Sequence, residues 1–226
     1  MNKFPPDSRG SKFLMSITGL FMVMFVAVHL TVNLLLIFDD SGELFNMTAH
    51  LMENSLVMGI IEPLLGLGFF IHITWSFFLE YRNWKVRPVS YNKKKSDKPV
   101  TWASRNMLVL GSLVLVFLVI HLINFFWVIN FNPESLQTVT INGVEMEDTY
   151  SLVADLFKKS VVYDILYIMG GILLGLHLSH GFWSAFHTLG LTDKHRISKI
   201  RVAGKIYAAI VAIGFSCIPL YFMIRF

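Results

Sequence analysis

One cysteine, Cys217, is present in 226 residues. A single thiol leaves no internal disulfide and no cysteine-ligated iron–sulfur cluster. Charge is scarce too: 15% of residues are Asp, Glu, Lys or Arg, against about 25% in soluble domains. The deficit is gathered rather than spread, because long segments carry almost no charge. No small-residue cleavage site follows the first apolar run, Phe13 to Phe38. That run is also too long for a signal-peptide core, so it reads as a retained membrane span. The formal net charge of +4 does not indicate nucleic acid, because the basic residues cluster between apolar spans.

What is present is apolar: 54% of the chain is hydrophobic, with 20 Phe. About 20 such residues cross the hydrocarbon core as a helix. Five segments qualify: 13–38, 55–80, 104–130, 161–188 and 203–224. They are too continuous for the two-sided pattern of a water-soluble bundle. The expected fold is therefore an all-α membrane protein, a single domain over 1–226 with five transmembrane helices.

The connecting segments alternate in charge. Residues 82–99 carry Arg82, Lys85, Arg87, Lys93, Lys94, Lys95 and Lys98 against Asp97 alone, and 189–202 carry Lys194, Arg196, Lys199 and Arg201 against Asp193. The N-terminal tail has Lys3, Arg9 and Lys12. By contrast, 39–54 holds Asp39, Asp40, Glu43 and Glu53 with no Lys or Arg. The stretch 131–157 holds Glu134, Glu145, Glu147, Asp148 and Asp155, again with none. The positive-inside rule puts the N-terminus in the cytoplasm and, after five crossings, the C-terminus outside. Asn142-Gly143 within VTINGVEM is a hairpin signal, so a small cap in the outer loop is one option. The lysine-rich loop 82–99, with Pro88 and Pro99, is either simply solvated or a docking face for soluble partners or anionic headgroups.

Four histidines lie inside apolar spans, one in each of the first four: His29, His72, His121 and His177. Intramembrane imidazole calls for a functional reason. The first and third spans run outward, and His29 and His121 each lie roughly 14 Å below the outer helix end at 1.5 Å per residue. The second and fourth spans run inward, and His72 and His177 fall in the inner half. The four therefore form two pairs at two depths. Two neutral imidazoles on opposite faces of a porphyrin leave its iron six-coordinate and suited to single-electron transfer. Two stacked haems would need this arrangement. Porphyrin propionates want partners near an interface, for which Arg105, Ser16, Trp102 and His180 are candidates. Zinc is a rival reading, since His177 and His180 share a helical face, but no cysteine or carboxylate lies within a turn of them. Four separate interhelical hydrogen bonds are the other alternative. His50 and His195 read as surface residues in loops, and His187 as a snorkelling one. The span glycines, Gly19 and Gly111 among them, suit a flat macrocycle or ordinary helix packing equally well. Tryptophans near span ends, such as Trp84, Trp102 and Trp127, read as interface anchors.

At this point the sequence resembles the cytochrome b membrane anchor of succinate dehydrogenase and fumarate reductase, in its single-chain, five-helix, two-haem form. The resemblance covers nearly the whole chain. It is carried by HLSHGFWSAFHTLG at 177–190, SITGLFMVMFVAVHLTVN at 16–33 and the spaced His72 and His121. It implies an outer haem b held by His29 and His121 and an inner haem b held by His72 and His177. His177 is preferred to His180 because Gly181-Phe182 follows it at the family's offset. Some fumarate reductases of this type carry a glutamate two residues before this ligand, where Gly175 stands here. The resemblance further implies a flavoprotein with covalent FAD and an iron–sulfur subunit on the cytoplasmic face. It also implies exchange of electrons with membrane quinone, menaquinone in this type, and multi-pass residence in a bacterial cytoplasmic membrane. The anchor itself would have no dicarboxylate chemistry. Quinone chemistry moves protons as well as electrons. Glu62 and Glu53, toward the outer side, are the candidate proton-handling residues, with Asp164 a further option. The cytochrome b subunit of a hydrogenase or formate dehydrogenase remains an alternative, as does a haem-free transporter or structural membrane protein.

Overall fold

The computed structural model describes residues 8–86, 102–193 and 195–225. The basic cluster at 87–101, the N-terminal tail to residue 7 and Lys194 lie outside them. Five helices are long and apolar enough to cross a membrane, over Gly10–Phe38, Leu56–Lys85, Met107–Phe131, Val161–Thr188 and Ile197–Arg225. The first span is α1 (Ser8–Asn33) continued by α2 (Leu35–Phe38). Its break follows Asn33, whose side-chain amide donates to the His29 carbonyl at 2.8 Å and competes with the backbone ladder. The second span is α4 (Leu56–Val86). The third is α6 (Met107–His121), a π-helical turn (Leu122–Phe126) and α7 (Trp127–Phe131). The fourth and fifth are α9 (Val161–Thr188) and α10 (Ile197–Arg225).

Two spans run further toward the basic side than their apolar stretches do. α4 continues past Glu80, with Arg82 over the Phe78 ring and Lys85 over Tyr81, while Arg201 of α10 sits 4.3 Å from the Trp183 ring centroid. Long cationic side chains cover aromatic surface and keep their heads in water, so the helix outlives the apolar run.

The acidic segments are not plain loops. Residues 39–54 contain α3 (Glu43–Glu53), and 131–157 contains a 3-10 turn (Pro133–Ser135), β1 (Thr138–Ile141), β2 (Val144–Glu147) and α8 (Thr149–Lys159). β1 and β2 pair antiparallel from Thr138↔Glu147 to Ile141↔Val144. Asn142 (φ 53°) and Gly143 (φ 80°) make the left-handed turn that such a hairpin requires. Asn46 of α3 ties this cap together. It donates to Asp148 at 2.9 Å and accepts from the Thr149 hydroxyl at 3.0 Å and the Tyr150 amide at 2.8 Å. Gly42 must be glycine twice over, since its φ is 75° and a Cβ there would lie 2.4 Å from the Tyr150 ring. Asp40 accepts from Tyr221 and Arg225, which fastens the end of α10 to the same cap. A short helix, α5 (Trp102–Arg105), leads into α6 at the opposite end.

Within the bundle, α1 packs on α4 and α9, α6 packs on α9, and α4 and α6 touch lightly. α1 and α6 stand on one diagonal, α4 and α9 on the other. α10 lies outside this square, packed along α9. Gly171, Gly175, Ala208 and Ala212 let those two backbones approach: a Cβ at Gly175 would lie 2.6 Å from the Ala212 Cβ and 2.8 Å from the Ala208 carbonyl. One apolar cluster, built on Leu36, Phe45, Phe157, Tyr167 and Phe222, closes the outer end. A second, around Val26, Leu30, Leu178 and Val211, joins α1, α9 and α10. Among the described residues, Gly68 is the one buried residue of α4 and Leu110 the one buried residue between 107 and 131.

Candidate haem-binding histidines

The His29 and His121 rings meet across the α1–α6 diagonal, with centroids 5.7 Å apart and planes at 90°. Two imidazoles bound to one metal through nitrogen at about 2 Å each would put their centroids roughly 6 Å apart. Aromatic rings surround this pair. Phe25 stacks on His29 at 5.2 Å, and His121 is bordered by Phe117, Phe125 and Tyr167. The π-helical turn begins at the residue after His121. Such insertions recur at functional sites. Here it accompanies Asn124, whose amide donates to the Tyr167 hydroxyl at 3.1 Å.

His72 and His177 stand on the other diagonal, within electrostatic reach of one another. Each lies against a glycine of a neighbouring helix. A Cβ at Gly19 of α1 would sit 3.4 Å from His72 Cε1, and one at Gly111 of α6 would sit 3.5 Å from His177 Cε1. These glycines fix the levels. Gly19 precedes His29, and Gly111 precedes His121, by ten residues each, which is about 15 Å of helix. The two histidine pairs are separated by that distance along the bundle.

The sequence-derived propionate candidates lie toward the basic end. Ser16 is buried on α1, just below the level of His72, and Arg105 closes α5. His180, one turn from His177, stands edge-on to Trp183 at 5.1 Å, and Arg201 lies within electrostatic reach. Trp102 is exposed. The buried Nδ1 atoms of His177 and His180 and the indole nitrogen of Trp75 have no hydrogen-bond partner in the structure. Buried polar nitrogens of this kind call for a partner. In the sequence Trp75 reads only as one more of the span-end tryptophans, one turn from His72. Among the described residues, no three His, Cys, Asp or Glu side chains come together to hold a metal ion. The His29 and His121 rings meet and His72 and His177 interact electrostatically; two imidazoles are what a six-coordinate haem iron would take. The donor set, the flat glycine walls and the orphaned nitrogens all fit haem.

The candidate proton-handling residues are not brought together. Glu53 lines a surface cleft of about 360 Å³ in the outer cap, with His50, Asn54, Thr138, Glu145, Met146 and Glu147. Burial, and then the nearby Glu53 charge, push the Glu147 carboxyl up. His50 is thus part of α3 and of this cleft rather than of a loop. Glu62 is exposed on α4, beside Pro63. Asp164, in the first turn of α9, is 1% exposed, and neither carboxylate oxygen has a partner in the structure. His187 bonds Thr192 at 3.2 Å, and His195 is exposed.

The fold defines a five-helix, all-α membrane protein. Comparisons with family models, with curated proteins and with solved structures gave no match to this chain.

Proposed function

We propose that this chain is the dihaem cytochrome b anchor of a succinate:quinone oxidoreductase, passing electrons between an iron–sulfur subunit on the cytoplasmic face and menaquinone in the membrane. The observation that carries this reading is the occupation of both diagonals of one bundle by histidine pairs at levels about 15 Å apart. His29 and His121 would hold an outer haem b, and His72 and His177 an inner one. When bound, a six-coordinate haem of this kind supplies one-electron transfer. The residues do the rest. Phe25, Phe117 and Phe125 keep water from the outer pair. Ser16, His180 and Arg105 lie where inner propionates would need donors. Arg82, Lys85 and Arg201 add positive charge to the face where an iron–sulfur subunit would dock. Glu53, in the outer cleft, is placed to take up or release quinone protons. The succinate link rests on the resemblance of 177–190 and 16–33.

The test is the purified protein. Its dithionite-reduced spectrum should show b-type bands and two haems per chain, and a flavoprotein should co-purify. His29→Ala and His121→Ala should remove one haem, and His72→Ala and His177→Ala the other. A well-folded preparation without haem would end the proposal. Loss of the same haem in His29→Ala and His72→Ala would overturn the pairing.

A further inference from the structure

A metal-binding imidazole must present one bare nitrogen, and the hydrogen bond made by the other nitrogen decides which one that is. The four span histidines are not treated alike in this respect. Around His177, Nδ1 has no partner in the structure. Around His29, Nδ1 lies 3.4 Å from the Asn33 amide nitrogen, a donor that also serves the His29 carbonyl at 2.8 Å. Around His72 the arrangement is different. Nδ1 lies 3.1 Å from the Thr18 hydroxyl oxygen.

Thr18 has one hydroxyl proton, and the helix claims it. The hydroxyl donates to the Leu14 carbonyl at 3.0 Å, with the Met15 carbonyl at 3.2 Å. What remains toward His72 is an oxygen lone pair, an acceptor. It therefore calls for the proton on His72 Nδ1. The next residue, Gly19, lies against the same ring, with His72 Cε1 3.4 Å from where a Cβ would stand. Thr18 is buried, so water does not replace it readily.

We propose that Thr18 is a positioning residue for His72: by accepting the Nδ1 proton it fixes the tautomer and ring angle that present Nε2 to the inner haem. This rests on the dihaem reading. An imidazole that donates such a bond is a stronger electron donor, which favours ferric iron and lowers the potential of the haem it serves.

The experiment is redox titration and ferric low-spin EPR of the haem-loaded complex carrying Thr18→Val, Thr18→Ala or Thr18→Ser. The signal lost in His72→Ala identifies the inner haem. In Thr18→Val and Thr18→Ala the midpoint potential of that haem should rise and its EPR g-values should move. The outer haem should stay as in wild type, and Thr18→Ser should restore both readouts. Thr18→Ala keeps the test alive if the bulkier Val disturbs assembly. Equal behaviour of the Ser and Ala variants would overturn the role of Thr18 while leaving the dihaem reading intact. So would a shift confined to the haem that His29→Ala removes. A wild-type complex without haem would remove the reading itself.

Discussion

Gly170 and Phe117 are pressed together so closely that a Cβ on Gly170 would lie 2.4 Å from the Phe117 ring. The relationship reaches the outer histidine pair, because Phe117 also packs on His121, with centroids 6.2 Å apart, and on Tyr167 at 5.2 Å. A side chain added on α9 is thus transmitted through one ring on α6 to a candidate ligand.

Gly170→Ala should therefore disturb the outer haem without touching it. The expected result is a shift in its optical or EPR signal and a destabilisation of about 1–3 kcal/mol, typical of overpacking. Gly66→Ala is the matched control, because nothing lies within 4 Å of a Cβ there. That change should be neutral or stabilising by about 0.5–1 kcal/mol. Thermal unfolding in detergent, read by haem absorbance and by circular dichroism, separates the two effects.

Gly175→Leu should part α9 from α10. Even the first carbon of that side chain would meet Ala212 and the Ala208 carbonyl at under 3 Å. The inner haem, on the His177 side, should be lost or bound weakly, while Gly181→Ala, with open space around it, should bind two haems. Haem-to-protein ratio after purification is the measurement.

Tyr167→Phe removes the acceptor for the Asn124 amide within the π-helical turn. Interhelical polar contacts in membranes are worth about 0.6 kcal/mol on average, so the loss of stability should be of that size. A much larger loss, measured by reversible unfolding in mixed micelles, would mean that the pair sets the register of the π turn rather than merely bridging two helices.

The outer cap should respond to pH in two opposite ways. Burial alone would raise Asp148, but hydrogen bonds from Ser151 and Asn46 outweigh it and hold the carboxyl low. Its contribution is present above the unfolded value of about 3.9 and is lost as pH falls through the folded value. Glu147 is held high, so its contribution is complete below the unfolded value of about 4.3 and is lost as pH rises through the folded value. Hydrogen exchange across 133–159 should show protection falling at both ends. Glu147→Gln should abolish the fall on the alkaline side and leave the acid side unchanged.

Quinone turnover should separate the two candidate glutamates. Glu53→Gln should slow quinol-linked electron transfer about tenfold or more, the scale of a lost proton-transfer group, with haem content unchanged. Glu62, exposed on α4 and away from the cleft, should tolerate Gln. Normal turnover in both variants would discard the carboxylate assignment.

The spans were legible because bilayer thickness imposes a length and an apolarity that few other structures share. The histidine depths followed by counting from span ends, and the structure places the His29 and His121 rings side by side. Other features left less trace. α3 and α8 are short amphipathic helices outside the apolar runs, so nothing in the sequence marks Phe45 and Phe157 as core residues. The π turn after His121 has no sequence mark, since an extra residue inside a helix looks like any other. Gly19 and Gly111 stood out only as small residues, and their role as walls for His72 and His177 depends on which helices become neighbours. Thr18 was invisible for the same reason. Its partner lies 54 positions away, and a threonine in an apolar helix ordinarily bonds back to its own turn.

The close pairing of α9 with α10 sets an order of events during synthesis. The support behind His177 comes from the 29-residue helix made after α9, whereas His29, His72 and His121 belong to segments made earlier. α10 also sets Phe215 against His29, with ring centroids 5.7 Å apart, so both histidine levels wait for this helix, and a message cut short before it would yield a chain with neither level fully enclosed.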